Sequence, residues 1–231
     1  MYGDVVQHDL PAPREVVEAM RERSSPLAAL ASCTRDVILA ELRRELRFEN
    51  LPHLAHLASA ILELSLSCLS VHGDAYWLTF HRSGFPIHLP SRNEIPQSLS
   101  DAFPIRGVKG LEEFLRYFGG MVDGYLGAAA GGFWSPSEAF LVSADEPGSD
   151  WGTVGEWQGA LSFYHGASGD QIVIHRDGRP GKWSHEVGWE TPDENPFTKL
   201  PYSFTELIDH FSEYLSLPRK DPRKRDSPFY C

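Results

Sequence analysis

Gly169-Asp170-Gln171-Ile172-Val173-Ile174-His175-Arg176-Asp177-Gly178-Arg179-Pro180-Gly181-Lys182-Trp183-Ser184-His185-Glu186-Val187 is the stretch that decides the fold. Gln171 to His175 and Lys182 to Val187 read as strands, joined by Arg176-Asp177-Gly178-Arg179-Pro180-Gly181. That connection is rich in turn formers. Glycine tolerates positive φ, proline presets its own φ, and an aspartate can accept a hydrogen bond from the backbone two residues on. Strands joined so closely pair antiparallel, because a parallel pair needs a crossover of a dozen or so residues. The stretch therefore seeds an antiparallel meander.

Upstream, Ala139 to Ser143 and Ala160 to His165 read as further strands of the same sheet. From Asp74 the hydrophobic period changes from 3.6 to 2: Tyr76, Leu78 and Phe80 alternate with Trp77, Thr79 and His81 up to a Ser83-Gly84 turn, and Phe85 to Leu89 returns. Ser91 to Pro104 reads by composition as a linker. A helix is expected at Gly110 to Phe118, with Leu111, Phe114, Leu115 and Phe118 inward and Gly119 ending it. Downstream, Ser203-Phe204-Thr205-Glu206 fits a capping box, in which the Ser203 and Glu206 side chains each accept a hydrogen bond from the other's backbone N–H. Phe204, Leu207, Ile208, Phe211 and Leu215 then make one apolar stripe, stopped by Pro218.

Before the sheet the pattern is helical. A short helix is expected from Pro13 to about Arg23, and a clearer one from Thr34 as N-cap, with Ile38, Leu42 and Leu46 on its stripe. Asn50 is expected to cap a third, in which Pro52 sits in the first turn and Leu54, Leu57, Ile61, Leu64 and Cys68 recur at helical spacing. The expected fold class is α+β, a central antiparallel sheet flanked by helices with an N-terminal helical extension. The expected divisions are an N-terminal helical region at 1–70, an α+β domain at 71–216 and a disordered basic tail at 217–231.

Of the 231 residues, 42% are hydrophobic and 23% charged, the balance of a globular protein. No stretch approaches the roughly 20 apolar residues of a spanning helix, and Met1-Tyr2-Gly3-Asp4 lacks the basic and apolar regions of a signal peptide. A cytoplasmic protein without a membrane partner is expected. Cys33, Cys68 and Cys231 are widely spaced with no Cys-x-x-Cys pair, which offers neither a disulfide framework nor a zinc site. The net charge is −11; from Leu217 on, Arg219, Lys220, Arg223, Lys224 and Arg225 outweigh Asp221 and Asp226, so the body before that +3 segment carries −14. An acidic body repels nucleic-acid phosphates and steers a basic protein partner inward, although it also serves solubility alone.

The acids concentrate between Asp145 and Glu194, where ten face three basic residues and four of the six tryptophans, Trp151, Trp157, Trp183 and Trp189, fall. An acidic surface with embedded aromatic rings suits a basic partner, so Asp145, Glu146, Asp150, Glu156, Trp157, Asp170, Glu186 and Glu190 form the candidate binding surface. The six glycines between Gly119 and Pro136 follow a helix, have no lysine among them and include Asp123 nearby, so they read as a place where backbones pack closely, not as a phosphate cradle. His53 and His56 stand at i and i+3 on the third helix without a carboxylate or cysteine to complete a metal set, and read as an exposed pair. An enzymatic reading would gather His165, Asp170, His175, His185 and Glu186. Strand geometry opposes it, since adjacent His185 and Glu186 would face opposite ways. There is no Gly-x-Ser-x-Gly elbow and no activated cysteine, so no catalytic residue and no cofactor is expected.

One series of motifs resembles a family. Leu111-Glu112-Glu113-Phe114-Leu115-Arg116-Tyr117-Phe118-Gly119-Gly120 precedes Trp151 and Trp157; then come Gly169-Asp170-Gln171-Ile172-Val173-Ile174, Asp177-Gly178, Lys182-Trp183-Ser184-His185-Glu186 and Ser203-Phe204-Thr205-Glu206-Leu207-Ile208. In order and approximate spacing this is similar to the SUKH superfamily, which includes the yeast Knr/Smi regulator of cell-wall synthesis and many bacterial immunity proteins that neutralise polymorphic toxins. The likeness covers about residues 100–216. The helix before Gly119 departs from the pattern, lacking the Leu-Pro opening and the Asn before the double glycine.

The resemblance implies an α+β fold without catalytic residues that works by binding protein. The expected function is that of an immunity-type protein that binds and neutralises a cognate toxin through a basic domain, or alternatively a regulatory scaffold of the cell-wall type. Among the matched residues, Gly169 and Gly178 are expected to permit turns, Asp177 to cap its turn, Trp183 to pack against the final helix, and Phe204 and Leu207 to close the core. Asp170 and Glu186 are the matched residues expected to be exposed. The competing expectation is a metal-dependent enzyme using His165, His175 and His185.

Overall fold

The computed structural model describes residues 5–82, 85–124, 131–144, 151–166, 168–190, 194–218 and 227–229. Ten strands form one antiparallel meander: β1 (Val6–His8), β2 (Ser65–His72), β3 (Ala75–Arg82), β4 (Phe85–Pro90), β5 (Val122–Asp123), β6 (Gly131–Phe133), β7 (Leu161–His165), β8 (Gln171–Ile174), β9 (Pro180–Trp183) and β10 (Phe197–Lys199), side by side in chain order. The described helices are α1 (Arg14–Glu22), α2 (Ala28–Ala31), α3 (Arg35–Glu45), α4 (Pro52–Leu62), α5 (Gln97–Ala102), α6 (Leu111–Phe118), α7 (His185–Glu190) and α8 (Phe204–Ser216). The fold is α+β, a sheet flanked by helices, as the sequence implies. No helix among the described residues is long and apolar enough to cross a membrane.

The deciding hairpin forms as read. Gln171 pairs with Trp183 and Ile174 with Pro180. The turn closes by Gly178 N–H to His175 C=O and His175 N–H to Arg179 C=O, both at 2.8 Å, with Gly178 at φ +89° and Asp177 Oδ1 accepting from the Arg179 N–H at 3.1 Å. Its second strand is shorter than expected. β9 stops at Trp183, and His185 and Glu186 lie on α7, not on a strand; Asp170 Oδ1 accepts the His185 N–H at 3.1 Å, one of the N–H groups a helix start leaves without an intrahelical partner. Of the other strands, β7 falls where expected, whereas Ala139 to Ser143 contributes only a bridge from Leu141 to Leu161.

The sheet begins far earlier than Asp74. The third helix, α4, ends at Leu62, and Cys68 lies in β2. Leu64 and Cys68, four apart, extended the helical stripe only in sequence: Cys68 opposes Thr79 on the face opposite Leu66 and Leu69, which a bulge at Ser67 brings together against Phe80 and Leu78. β1 then pairs with β2, putting the polar opening of the chain in the same sheet. One apolar core runs from Leu10 to Phe229, so residues 1–70 share both sheet and core with the rest. The N-cap of α4 is Leu51, not Asn50, and no side chain caps it. The expected linker holds α5, and Asn93 donates from Nδ2 to the Leu115 and Gly119 carbonyls at 3.2 and 2.6 Å, tying it to the end of α6.

The main core lies between the helices and one sheet face. Phe133 sits 4.8 Å from both Phe114 of α6 and Phe211 of α8, and Phe163 5.4 Å from Phe204. α8 starts with the full capping box, Glu206 N–H to Ser203 Oγ at 3.3 Å and Ser203 N–H to Glu206 Oε2 at 2.7 Å. The glycine-rich stretch supplies β5 and β6, and a Cβ at Gly131 would overlap the Tyr164 hydroxyl, as close backbone packing requires. A second, smaller core gathers Val142, Trp151, Val154, Trp157, Val173, Trp183 and Phe197. Val173 and Trp183 alternate with the main-core residues Ile172 and Ile174, which places this core on the opposite face. Trp183 thus packs on Trp151, ring centres 5.0 Å apart, not on the final helix. Residues 219–226 and 230–231 of the expected tail lie outside the described residues, but Phe229 is 2% exposed and packs 4.7 Å from Phe211 and 5.1 Å from Tyr164, so Phe229 belongs to the core.

Candidate functional site

The acidic candidate surface is described in part. Asp145, Glu146 and Asp150 lie outside the described residues, as does the side chain of Glu190. Trp157 is 2% exposed, stacked on Phe197 and covered by Gly181, where a Cβ would overlap its ring. It is core, not surface. Glu156 is exposed and takes the Arg179 guanidinium at 3.3 Å. Asp170 is only 18% exposed at its side chain, holds Lys182 Nζ at 2.8 Å and accepts the His185 N–H of α7, so it serves the hairpin instead of standing free; Glu186 is exposed on α7. Glu156 pairs with Arg179 at the turn end of the hairpin, whereas Asp170 precedes β8 at its open end, and four strand residues at ~3.3 Å each separate the two ends by about 13 Å.

At the turn end, Asp177 organises a small network: His175 Nδ1 at 2.8 Å and Arg179 Nε at 2.6 Å flank its carboxylate. Burial opposes the charge, yet the Arg179 N–H, the His175 ring and the Arg179 guanidinium together bring the carboxyl down to about 2. This is the expected turn cap, reinforced.

The three histidines of the enzymatic reading are dispersed. His165 lies half-buried against Trp134 at 4.6 Å, its pKa lowered by that burial with Glu138 opposing; His175 is tied to Asp177; His185 begins α7 beside Gly169. His165 pairs with Gln171 at one end of β8 while His175 follows the other end. Among the described residues no group of three or more His, Cys, Asp or Glu side chains could hold a metal ion. His53 and His56 are not an exposed pair either. His53 is 3% exposed, wedged against Gly110 with its pKa lowered by burial, and His56 is exposed and pairs with Asp209 of α8 at 3.2 Å.

Two features escaped the sequence. The first is a buried polar row across three strands: Ser70 Oγ lies 2.6 Å from Thr79 Oγ1, which lies 3.0 Å from His88 Nδ1. Burial pushes His88 down to about 4, with the Gly124 backbone opposing and His81 adding to the fall. Alternation in β3 hinted at it, since Thr79 falls among polar and aromatic residues opposite the Leu78 and Phe80 face.

The second is a groove of about 650 Å³ between α4, α8 and the end of the chain, lined by His56, Tyr202, His210, Glu213, Tyr214, Ser216, Leu217 and Ser227. Tyr202 and His210 rings meet at 4.3 Å and His210 Nδ1 is 3.7 Å from Glu213. Here the partly exposed rings of Tyr202 and Tyr214 stand beside the exposed Glu213 carboxylate. No sequence signal could join them, because His56 and Asp209 are 153 positions apart. No family model, curated protein or solved structure matches the chain.

Proposed function

We propose that this chain is a non-catalytic, immunity-type binding protein of the SUKH kind, which occludes a basic domain of a cognate toxin in the cytoplasm. The observation that carries the reading is charge: 32 acidic against 21 basic side chains, with five of the basic ones confined to the segment after Pro218. A body so acidic speeds encounter with a basic partner and rejects phosphate backbones. Two further observations support it. The motifs of the resemblance fall in chain order at element boundaries and on strands, with the double glycine ending α6, Gln171–Ile174 on β8, Asp177-Gly178 in the β8–β9 turn and the capping box opening α8. The histidines of the enzymatic alternative are each engaged locally, by Trp134, by Asp177 and Arg179, and at the start of α7.

Co-purification of the tagged full chain from its native host, with a panel of toxin domains assayed at low salt, tests the proposal. A basic protein held in one-to-one stoichiometry is the expected result. Failure of both arms to yield a protein partner overturns it.

A further inference from the structure

We propose that the α4–α8 groove is the contact site for an arginine side chain of the partner, its guanidinium lying on the tyrosine walls and paired with Glu213. This rests on the reading of the chain as a binder of a basic protein. The groove is a cavity with a chemical bias. None of its lining residues is Lys or Arg, and neither α4 nor α8 contains one, whereas α8 carries Glu206, Asp209 and Glu213. Glu206 is used up in the capping box. Asp209 and Glu213 are 46% and 66% exposed at their side chains and pair with the imidazoles of His56 and His210. Among the described residues, no lysine or arginine lines the groove beside them.

The aromatic walls decide which cation. Tyr202 is braced by the His210 ring, and Tyr214 by Phe211 at 6.0 Å, itself packed on Phe229. The walls are thus backed by the core. A guanidinium can stack on such a ring while pairing edge-on with a carboxylate, which the compact, strongly hydrated lysine ammonium does less well. The capping box and the buried stripe of α8 fix the helix backbone that carries Glu213. A rival occupant is the chain's own basic segment, Arg219 to Arg225, since Leu217 and Ser227 on either side of it both line the groove.

The test titrates the full chain with two blocked peptides, Gly-Arg-Gly-Arg-Gly and Gly-Lys-Gly-Lys-Gly, and repeats the titration with Asp209→Asn/Glu213→Gln and with Glu15→Gln/Glu18→Gln on α1, which removes equal charge elsewhere. The expected result is a preference for arginine of about tenfold, lost in the α8 variant and kept in the α1 variant. Should the double α8 variant unfold, Glu213→Gln alone is read in the same way. Equal affinity for both peptides, or equal weakening by both variants, overturns the proposal. So does peptide binding that first appears when Arg219, Lys220, Arg223, Lys224 and Arg225 are changed to Gln, which assigns the groove to the chain's own segment. A captured protein partner whose affinity ignores Asp209→Asn/Glu213→Gln overturns the groove and leaves the function; arginine selectivity without any protein partner does the reverse.

Discussion

His88 makes the stability of this protein depend on pH in a way that one substitution removes. Its imidazole is buried in β4, with Nδ1 3.0 Å from the Thr79 hydroxyl, and burial holds it down at about 4. In the unfolded chain a histidine titrates near 6.5. Between these values the unfolded state binds a proton that the native state refuses, so the native state is penalised as the solution is acidified. The contribution of His88 is fully present above pH 6.5 and is lost as pH falls towards 4. At about 1.4 kcal/mol per pH unit the loss reaches ~2.5 kcal/mol by pH 4.5. His53 and His165, also lowered by burial, push in the same direction. Urea unfolding of the wild type and of His88→Gln, which keeps a hydrogen-bonding side chain but cannot titrate, at intervals from pH 7.5 to 4.5 gives the contribution as the difference between two curves. The variant is expected to be less stable at pH 7.5 and to lose ~2.5 kcal/mol less on acidification. Parallel curves would refute the assignment of a buried, neutral His88.

Three further outcomes follow from the packing. Gly110→Ala forces a Cβ into the His53 ring at a backbone φ of +83° and is expected to cost about 2–4 kcal/mol in urea unfolding; an alanine variant within ~0.5 kcal/mol of wild type would mean that His53 is not wedged there. Trp157→Ala empties the centre of the second core and should destabilise by about 3–5 kcal/mol, whereas a surface tryptophan would cost little and affect only binding. Phe229→Ala should cost about 3 kcal/mol if the end of the chain is seated among Phe133, Tyr164 and Phe211, and near nothing if it is a solvated tail.

What the sequence makes legible is what is local. The β8–β9 turn, the stripe of α6 and the capping box of α8 each specify their geometry within a few residues, and each formed as read. β5 and β10, at two and three residues, are too short to show a period, and both depend on the neighbours they pair with. β2 was hidden because Leu64 and Cys68, four apart, continue the apolar spacing of α4, and the bulge at Ser67 interrupts the two-residue repeat that would have marked a strand. α7 was hidden because the carboxylate that accepts its His185 N–H lies 15 positions upstream. The candidate site suffered most from the same cause. Acidic density along the chain marked Asp145 to Glu194, but three of those tryptophans turn inward to build a core, and of the described acids Glu156, Asp170 and Asp177 pair with Arg179 and Lys182 while Glu186 is exposed. The groove that joins a carboxylate to accessible rings comes from three separate parts of the chain and has no linear signature.

Calorimetric titration of the full chain with the protein that co-purifies from its native host, at about 50 and about 300 mM salt, tests the binding reading most directly. A one-to-one complex with a basic protein, weakened at least about tenfold by the added salt, is the predicted result. Binding indifferent to salt, or no complex at either concentration, would contradict it.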